Sequence, residues 1–293
     1  MNRKLHAVRS SIAVLLVGLA LAPLDARGQG VSLKELLRRA GTWVERFADD
    51  STFVVADERY DQEYGVRTGA SWQLQRRNLL SEIVWVKTSD DESRRGYPWI
   101  QFRDVVEVDG KELPEHRGRL ERLFKEVSAS SYARGRALIE ESARFNIGPI
   151  VREINIPSVA LFFLVPRNQP RFRFRAGSPQ PSGAPEHLVE VIYEERDRPT
   201  MIRSLRHEDR PAAGTMLIEV TTGRVMKTDL RIKTERHWTT DTEVTYGHDD
   251  RLDIWVPTVM REHHRSSEDE YILATATYSN FRRFETSARI IIR

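Results

Sequence analysis

The sequence contains no cysteine. That removes disulfides, thiolate metal sites and cysteine nucleophiles together, and with them the lipid-modified cysteine that tethers an exported bacterial protein to a membrane. Beyond Leu24 no stretch approaches the roughly eighteen apolar residues of a spanning helix, so no integral membrane span is expected after that point. Phosphate-binding glycine loops are missing as well, because no G-x-G-x-x-G follows a strand pattern and no Walker loop occurs. There is no G-x-S-x-G elbow, no S-x-x-K with supporting motifs and no H-E-x-x-H. These absences leave no cofactor, no metal and no catalytic residue to assign, and the chain is expected to be non-enzymatic.

A net positive field is also lacking once the first residues are set apart. Arg3, Lys4 and Arg9 precede an apolar run from Ile12 to Leu24, and Ala26 and Gly28 offer small residues behind it. This is the pattern of a cleavable signal peptide over 1–28, so the rest is expected to be periplasmic or secreted. That segment holds four basic residues and one acidic residue. The 46 basic and 43 acidic side chains of the whole chain therefore become 42 and 42. A neutral mature chain has no footprint for polyanions, and no nucleic-acid partner is expected.

What is present is a period-two chain framed by helices. Ser32 and Glu35 form an S-x-x-E capping box, and Leu33, Leu36, Leu37, Ala40, Trp43, Val44 and Phe47 follow at helical spacing. Strand patterns are expected near 52–61, 67–77, 80–89 and 98–108. A helical insertion then runs over about 114–166, ending in the apolar segment Pro157–Pro166. Seven more strands follow near 170–176, 187–197, 214–220, 224–234, 239–247, 252–264 and 270–285. A Gly/Pro/Ser-rich stretch at about 176–186 reads as a flexible loop. With no βαβ alternation, about eleven strands form one antiparallel sheet, a single domain over 29–293. So large a sheet curls, and the N-terminal helix and the insertion are available to cover its concave face.

Charged clusters read as surface. Glu262-His263-His264 lies on a strand, where the two histidines point to opposite faces, and a solvated strand end is expected. His248-Asp249-Asp250 with Asp253 lacks calcium-loop spacing and reads as a turn. Glu194-Glu195 reads as a solvated pair at a strand end. In Arg171–Arg175 the pleat puts Phe172 and Phe174 on one face and the arginines on the other. The stretch Ala274–Phe284 reads as the closing strand, with a bulge around Asn280–Arg283 and its arginines facing solvent. The large apolar side chains on strands or in the short helix are the candidates for lining a cavity: Trp85, Phe102, Leu161, Phe162, Phe163, Phe174, Tyr193, Trp255 and Tyr278.

The order of elements, with the stretches IEVTTGRVMKTDLRI, TEVTYGHDDRLDIWVPTVMRE and ATATYSNFRRF, resembles the outer-membrane lipoprotein-sorting and carrier proteins of the periplasm. The resemblance implies a fold that is mainly β with α: a strongly curved, open antiparallel half-barrel of about eleven strands, lidded by helices over an apolar cavity. It implies a soluble, non-catalytic carrier of lipid or of the acyl chains of a lipidated protein. The alternative expectation is an envelope scaffold with a filled interior that docks a partner protein.

Overall fold

The computed structural model describes residues 31–87, 97, 99–124, 129–152, 155–177, 187–204, 206–233 and 238–283. The expected leader (1–28), residues 88–96, most of the expected flexible loop and Phe284 fall outside them.

Helix α1 (Leu33–Ser51) starts where the capping residues place it. Ser32 Oγ accepts the Glu35 N–H at 3.2 Å, as the capping box requires. The reciprocal half does not form, because the Glu35 carboxylate turns to Arg38 and Arg39 at 2.7–2.9 Å. The helical stripe buries Leu36, Ala40, Trp43, Val44 and Phe47.

The sheet is mostly the one expected: eleven antiparallel strands, not closed. They are β1 (Val54–Thr68), β2 (Ser71–Lys87), β3 (Trp99–Val108), β4 (Lys111–Glu112), β5 (Phe172–Ala176), β6 (Leu188–Glu195), β7 (Ala213–Glu219), β8 (Val225–Lys233), β9 (Trp238–Asp249), β10 (Ile254–Ser266) and β11 (Glu270–Arg283). The count agrees with expectation partly by compensation. The three strands expected over 52–61, 67–77 and 80–89 are one long hairpin, and the two-residue β4 was not expected. The hairpin turns at Gly69 (φ +63°), and the strand runs unbroken through Gly65, over which the Tyr271 ring lies.

The strand order is β4-β3-β2-β1-β11-β10-β9-β8-β7-β6-β5. Every neighbour is also a neighbour in sequence except β1 and β11, whose pairing joins the two wings. The two edges, β4 and β5, are therefore consecutive along the chain, and the segment between them must travel from one edge of the sheet to the other. That segment holds α2 (Arg119–Phe124), α3 (Ala129–Ala143) and two 3-10 turns, η1 (Val159–Leu164) and η2 (Gln169–Arg171).

Helical cover divides between the two faces. Helix α1 and η1 lie on the face carrying Ala56, Ile83, Trp85 and Met260, and there form one continuous apolar cluster. Helices α2 and α3 lie on the opposite face, where register aligns Val55, Val84 and Phe102 across three strands. Leu120, Phe124 and Leu138 bury that row. Strand β2 is consequently buried on both faces from Ser81 to Val86.

The closing strand carries the expected bulge: its register with β1 shifts between Val55 and Asp57, opposite Asn280 at φ +51°. The arginines that follow differ. Arg283 is exposed and donates to the Asp50 carbonyl at 2.7 Å. Arg282, expected in solvent, is 27% exposed, because Asp57 (2.8 Å), Glu82 (2.9 Å) and Glu121 (3.4 Å) converge on it from β1, β2 and α2.

Helix α1 is held at its flank by the β7–β8 turn. Arg39 donates to the Val220 carbonyl at 2.9 Å, and Gly223 (φ +75°) lies so close that a Cβ there would stand 2.3 Å from the Arg39 carbonyl carbon. Gly69 has a similar φ but open space around it. Gly223→Ala should cost about 2–4 kcal/mol, from strain and overlap together, and Gly69→Ala about 1 kcal/mol, from strain alone. Urea denaturation of both variants checks this: equal losses would show that the turn does not bear on α1.

Candidate functional site

The face of the β5–β11 wing opposite α1 carries a groove of about 880 Å³. Strand register builds it. One row of directly opposed residues runs Arg173, Glu194, Ala213, Arg231, Asp241, His263, Leu273 across seven strands. Two residues along each strand, a second row runs Arg175, Ile192, Thr215, Asp229, Glu243, Arg261, Thr275. Between them lie Tyr193, Gly214, Leu230, Thr242, Glu262 and Ala274, whose side chains belong to the other face, so their backbone forms the floor. Strand geometry makes the channel about 7 Å between rows and about 29 Å long.

Charges of both signs line the walls. Arg231 meets Asp241 at 2.5 Å, Lys227 meets Glu243 at 2.7 Å, and Arg261 meets Glu243 at 3.4 Å. These pairs are solvent-exposed and add little stability; their effect is to fix where charge stands. Burial pushes the Asp229 carboxyl upward, outweighing Lys227 and Thr215, and burial pushes the His263 imidazole down, with Arg265 adding to it. Arg175 is exposed and has no ion-pair partner among the described residues.

Directly behind the floor lies a buried polar network. Arg152, from the edge-to-edge segment, donates to Tyr60 Oη at 2.9 Å and to the Ile147 carbonyl at 3.0 Å, and it also bonds Gln62. Tyr60 donates to Glu262. Glu262 faces His264 Nε2 at 3.6 Å, and His264 Nδ1 lies 2.8 Å from Thr240 Oγ1. Arg103 grips both oxygens of Glu58 at 2.6 and 2.7 Å and donates to the Asn155 carbonyl at 3.0 Å. Both guanidinium groups lie against the Tyr60 ring, at 5.4 and 5.8 Å. Glu58, Tyr60, Gln62, Arg152, Glu262 and His264 are all buried.

Burial alone would raise the Glu262 carboxyl, but His264, Arg152 and Tyr60 outweigh it and hold it down to about 2. Burial, reinforced by Glu262, pushes the Tyr60 phenol far up. The space beside Arg103, Arg152, Asn155 and Gln101 is only about 20 Å³, room for one water. The network therefore gives no substrate a way in, and its geometry is that of a clamp. Among the described residues no three His, Asp or Glu side chains are grouped to hold a metal ion.

Two expectations are corrected here. His263 and His264 do face opposite ways, but Glu262-His263-His264 is no solvated strand end, because Glu262 and His264 are buried. Glu195 is buried too, rather than solvated. Its oxygens accept the Met201 N–H at 2.7 Å and the Ala212 N–H at 3.2 Å, tying the 196–212 loop to β6. The turn at His248 is as expected, with Asp250 and Asp253 at 2.8 and 3.1 Å from its ring nitrogens. Phe172 and Phe174 take the face opposite Arg173 and Arg175.

The nine apolar candidates are dispersed. Leu161, Phe162, Phe163, Trp85, Tyr193 and Tyr278 pack in the main cluster, with Phe174 against it. Phe163 meets Phe172 at 4.7 Å and Tyr193 at 5.4 Å, Phe162 meets Trp99 at 4.7 Å, and Trp85 meets Phe281 at 6.5 Å. Phe102 is on the opposite face against Phe124, at 4.8 Å. Tyr193 borders the groove floor, and Trp255 lines a smaller pocket of about 190 Å³. The groove walls and the clamp residues Tyr60, Arg103, Arg152 and Glu262 were not anticipated. The signal for the clamp is parity: Glu58 and Gln62 share the inward face of β1 with Ala56 and Tyr60, and Glu262 and His264 share that of β10 with Met260.

No protein-family model matches the chain, and no curated protein matches it. Among solved structures it is similar to a putative outer membrane lipoprotein-sorting protein domain from Vibrio parahaemolyticus, at 11% identity and a TM-score of 0.34, over 87% of this chain and 94% of that one. A DUF1329 family protein from Desulfovibrio piger is similar at 10% identity and 0.36, over 86% and 94%. A LolA superfamily protein from Nitrosomonas europaea is similar at 13% identity and 0.30, over 86% and 97%.

The clamp predicts a pH signature. Unfolded, Glu262 titrates near 4.3; folded, it titrates near 2. Its lowered folded value means that the stability it contributes is complete above about pH 4.3 and is lost as pH falls toward 2. Glu262→Gln should cost about 3–5 kcal/mol at pH 7, because it leaves Arg152 buried without its charge partner. The gap between wild type and variant should narrow below about pH 4.3. Urea titrations at pH 7 and pH 3 read both quantities, and a gap that stays constant would show that Glu262 carries no buried charge.

Proposed function

We propose that the protein is an exported, non-catalytic binding protein that holds an extended polypeptide segment of an envelope partner in the groove across β5–β11. One observation carries the reading. The two register-aligned rows, whose backbone positions stand about 7 Å apart, run for about 29 Å, the length of an extended chain of about eight residues. The backbone of Tyr193, Gly214, Leu230, Thr242, Glu262 and Ala274 forms the groove floor, and charges of both signs stand on its walls. The charge pattern favours a polar segment with both signs of charge over a bare acyl chain, because the aliphatic surface is interrupted by Asp229, Asp241 and Glu243.

Sequestration of lipid or of lipoprotein acyl chains between sheet and helices is the other reading. It needs the cluster around Leu161, Phe162 and Phe163 to part from Phe172, Tyr193 and Trp99. Those rings are in mutual contact at 4.7–5.4 Å, and separating them forfeits roughly 2–3 kcal/mol for each large side chain re-exposed. Among the described residues no helix is long and apolar enough to cross a membrane, so the described part of the chain would meet such partners without a helical span.

The test uses a photocrosslinking amino acid at two places, half-buried Thr215 in the groove and exposed Thr42 on α1, in the native cell envelope. Thr215→p-benzoylphenylalanine should capture a discrete protein, and Thr42→p-benzoylphenylalanine should not. Adding Arg231→Glu with Arg261→Glu should abolish the capture. Native mass spectrometry of the same preparation reads the other reading: a lipid-sized adduct on the purified protein, with no crosslink from Thr215, would establish carriage and end the groove proposal.

A further inference from the structure

A second pocket lies at the end of the sheet where α1, the β7–β8 turn and the start of β10 meet. Its volume is about 190 Å³, and it is remote in the fold from the groove, on the face that α1 covers. Its walls are Trp43 and Phe47 from α1, Ile254 and Trp255 from β10, and Arg224 from the turn. Trp43, Phe47 and Ile254 are buried among the core residues and present only part of their surface. Here the apolar walls belong to the core, and the charged groups come from α1 and from surface turns.

The charges are not evenly placed. The Arg224 guanidinium lies 4.4 Å over the Trp255 ring, so its position is set by a cation–π contact. Glu219 touches only one side of it, at 3.5 Å, and its Nε–H is buried without an acceptor. Arg46, at the rim on α1, is exposed and has no ion-pair partner among the described residues. Both carboxylates that border the pocket stand outward. Asp253 is 93% exposed and held by His248 at 3.1 Å, and Asp50 is exposed on the last turn of α1. Arg224 thus stands against the aromatic wall, while the two carboxylates that line the pocket face solvent.

We propose that this pocket binds a small amphiphilic carboxylate, its headgroup on Arg224 and Arg46 and its apolar body against Trp43, Phe47 and Trp255. The guanidinium supplies paired N–H donors suited to a carboxylate, and the aromatic edges supply apolar contact close to it. The pocket is far too small for a lipid with two acyl chains, so the ligand class is a short-chain or aromatic monocarboxylate. This inference does not rest on the groove.

The test is calorimetric titration of the full mature chain with sodium octanoate, and with octylamine as the same tail bearing the opposite charge. Octanoate should bind at one site per chain, and octylamine should not. Arg224→Gln should weaken octanoate about tenfold or more, the loss expected for a charge-assisted hydrogen bond. Arg46→Glu lies on the exposed side of α1, where folding does not depend on it, and should weaken octanoate by a similar factor. Arg261→Glu, in the groove, should leave the affinity unchanged. The proposal is overturned if octanoate shows no saturable binding, if octylamine binds as well, if Arg46→Glu binds octanoate like wild type, or if Arg261→Glu weakens it.

Discussion

The structure depends on a crossing. Because the sheet runs β4-β3-β2-β1-β11-β10-β9-β8-β7-β6-β5, its two edges are consecutive in the chain. The intervening segment has to be held against the sheet for the fold to have a unique arrangement. The hold is ionic and buried. Arg152 comes from the crossing segment itself and reaches Tyr60 and Gln62 on β1, and through Tyr60 it reaches Glu262 on β10. Arg103 ties β3 to Glu58 on β1 and to the Asn155 carbonyl of the same segment. Two arginines against two glutamates leave no net charge, and that balance makes burial tolerable. An apolar contact could have held the segment as strongly, but an arginine that must find a phenol and an amide oxygen fixes its register as well.

With the crossing fixed, the α1 side of the sheet fills. Helix α1 and η1 meet there, and Gln169 donates to the Leu37 and Leu164 carbonyls at 3.0 and 2.7 Å, locking turn to helix. The other face has to be covered wherever register lines up apolar residues, and α2 and α3 do this over Val55, Val84 and Phe102. Past β11 the residues on that face change character to Arg231, Asp241, Glu243 and Arg261. No helix is needed there, and the pleat leaves a channel. Cover and groove are two outcomes of one rule, in which the residue type on the uncovered face decides whether that face needs a helix.

The parts of the fold readable from sequence were those in which pleat or helix periodicity carries the information locally. The capped stripe from Ser32 to Phe47, the alternation in Phe172–Arg175, and the bulge expected around Asn280–Arg283 are of this kind. The long β1–β2 hairpin was divided wrongly, since nothing in the local pattern says that a ring from Tyr271 covers Gly65. The clamp was missed for a sharper reason. Glu262 reads as surface in any local window, and its burial follows only from Tyr60, 202 positions away, and from Arg152, 92 positions from Tyr60. The pattern 173–194–213–231–241–263–273 likewise exists only after six strand pairings have been set. Charged residues at inward parity were the legible trace of the clamp; the groove left none.

Strand β10 shows how the two features belong together. Its outward residues Arg261 and His263 stand on the groove walls, and its inward residues Glu262 and His264 belong to the clamp. Successive side chains of a strand cannot move independently of the backbone that carries them. A bare sheet face with polar residues and no helix behind it would flex along its twist, and the spacing of the two charge rows would drift with it. The clamp prevents this by fixing β1, β3 and β10 to one buried centre. The charge network behind the floor therefore fixes the two rows where they cross β10, and this accounts for expensive buried ions at a centre with room for about one water.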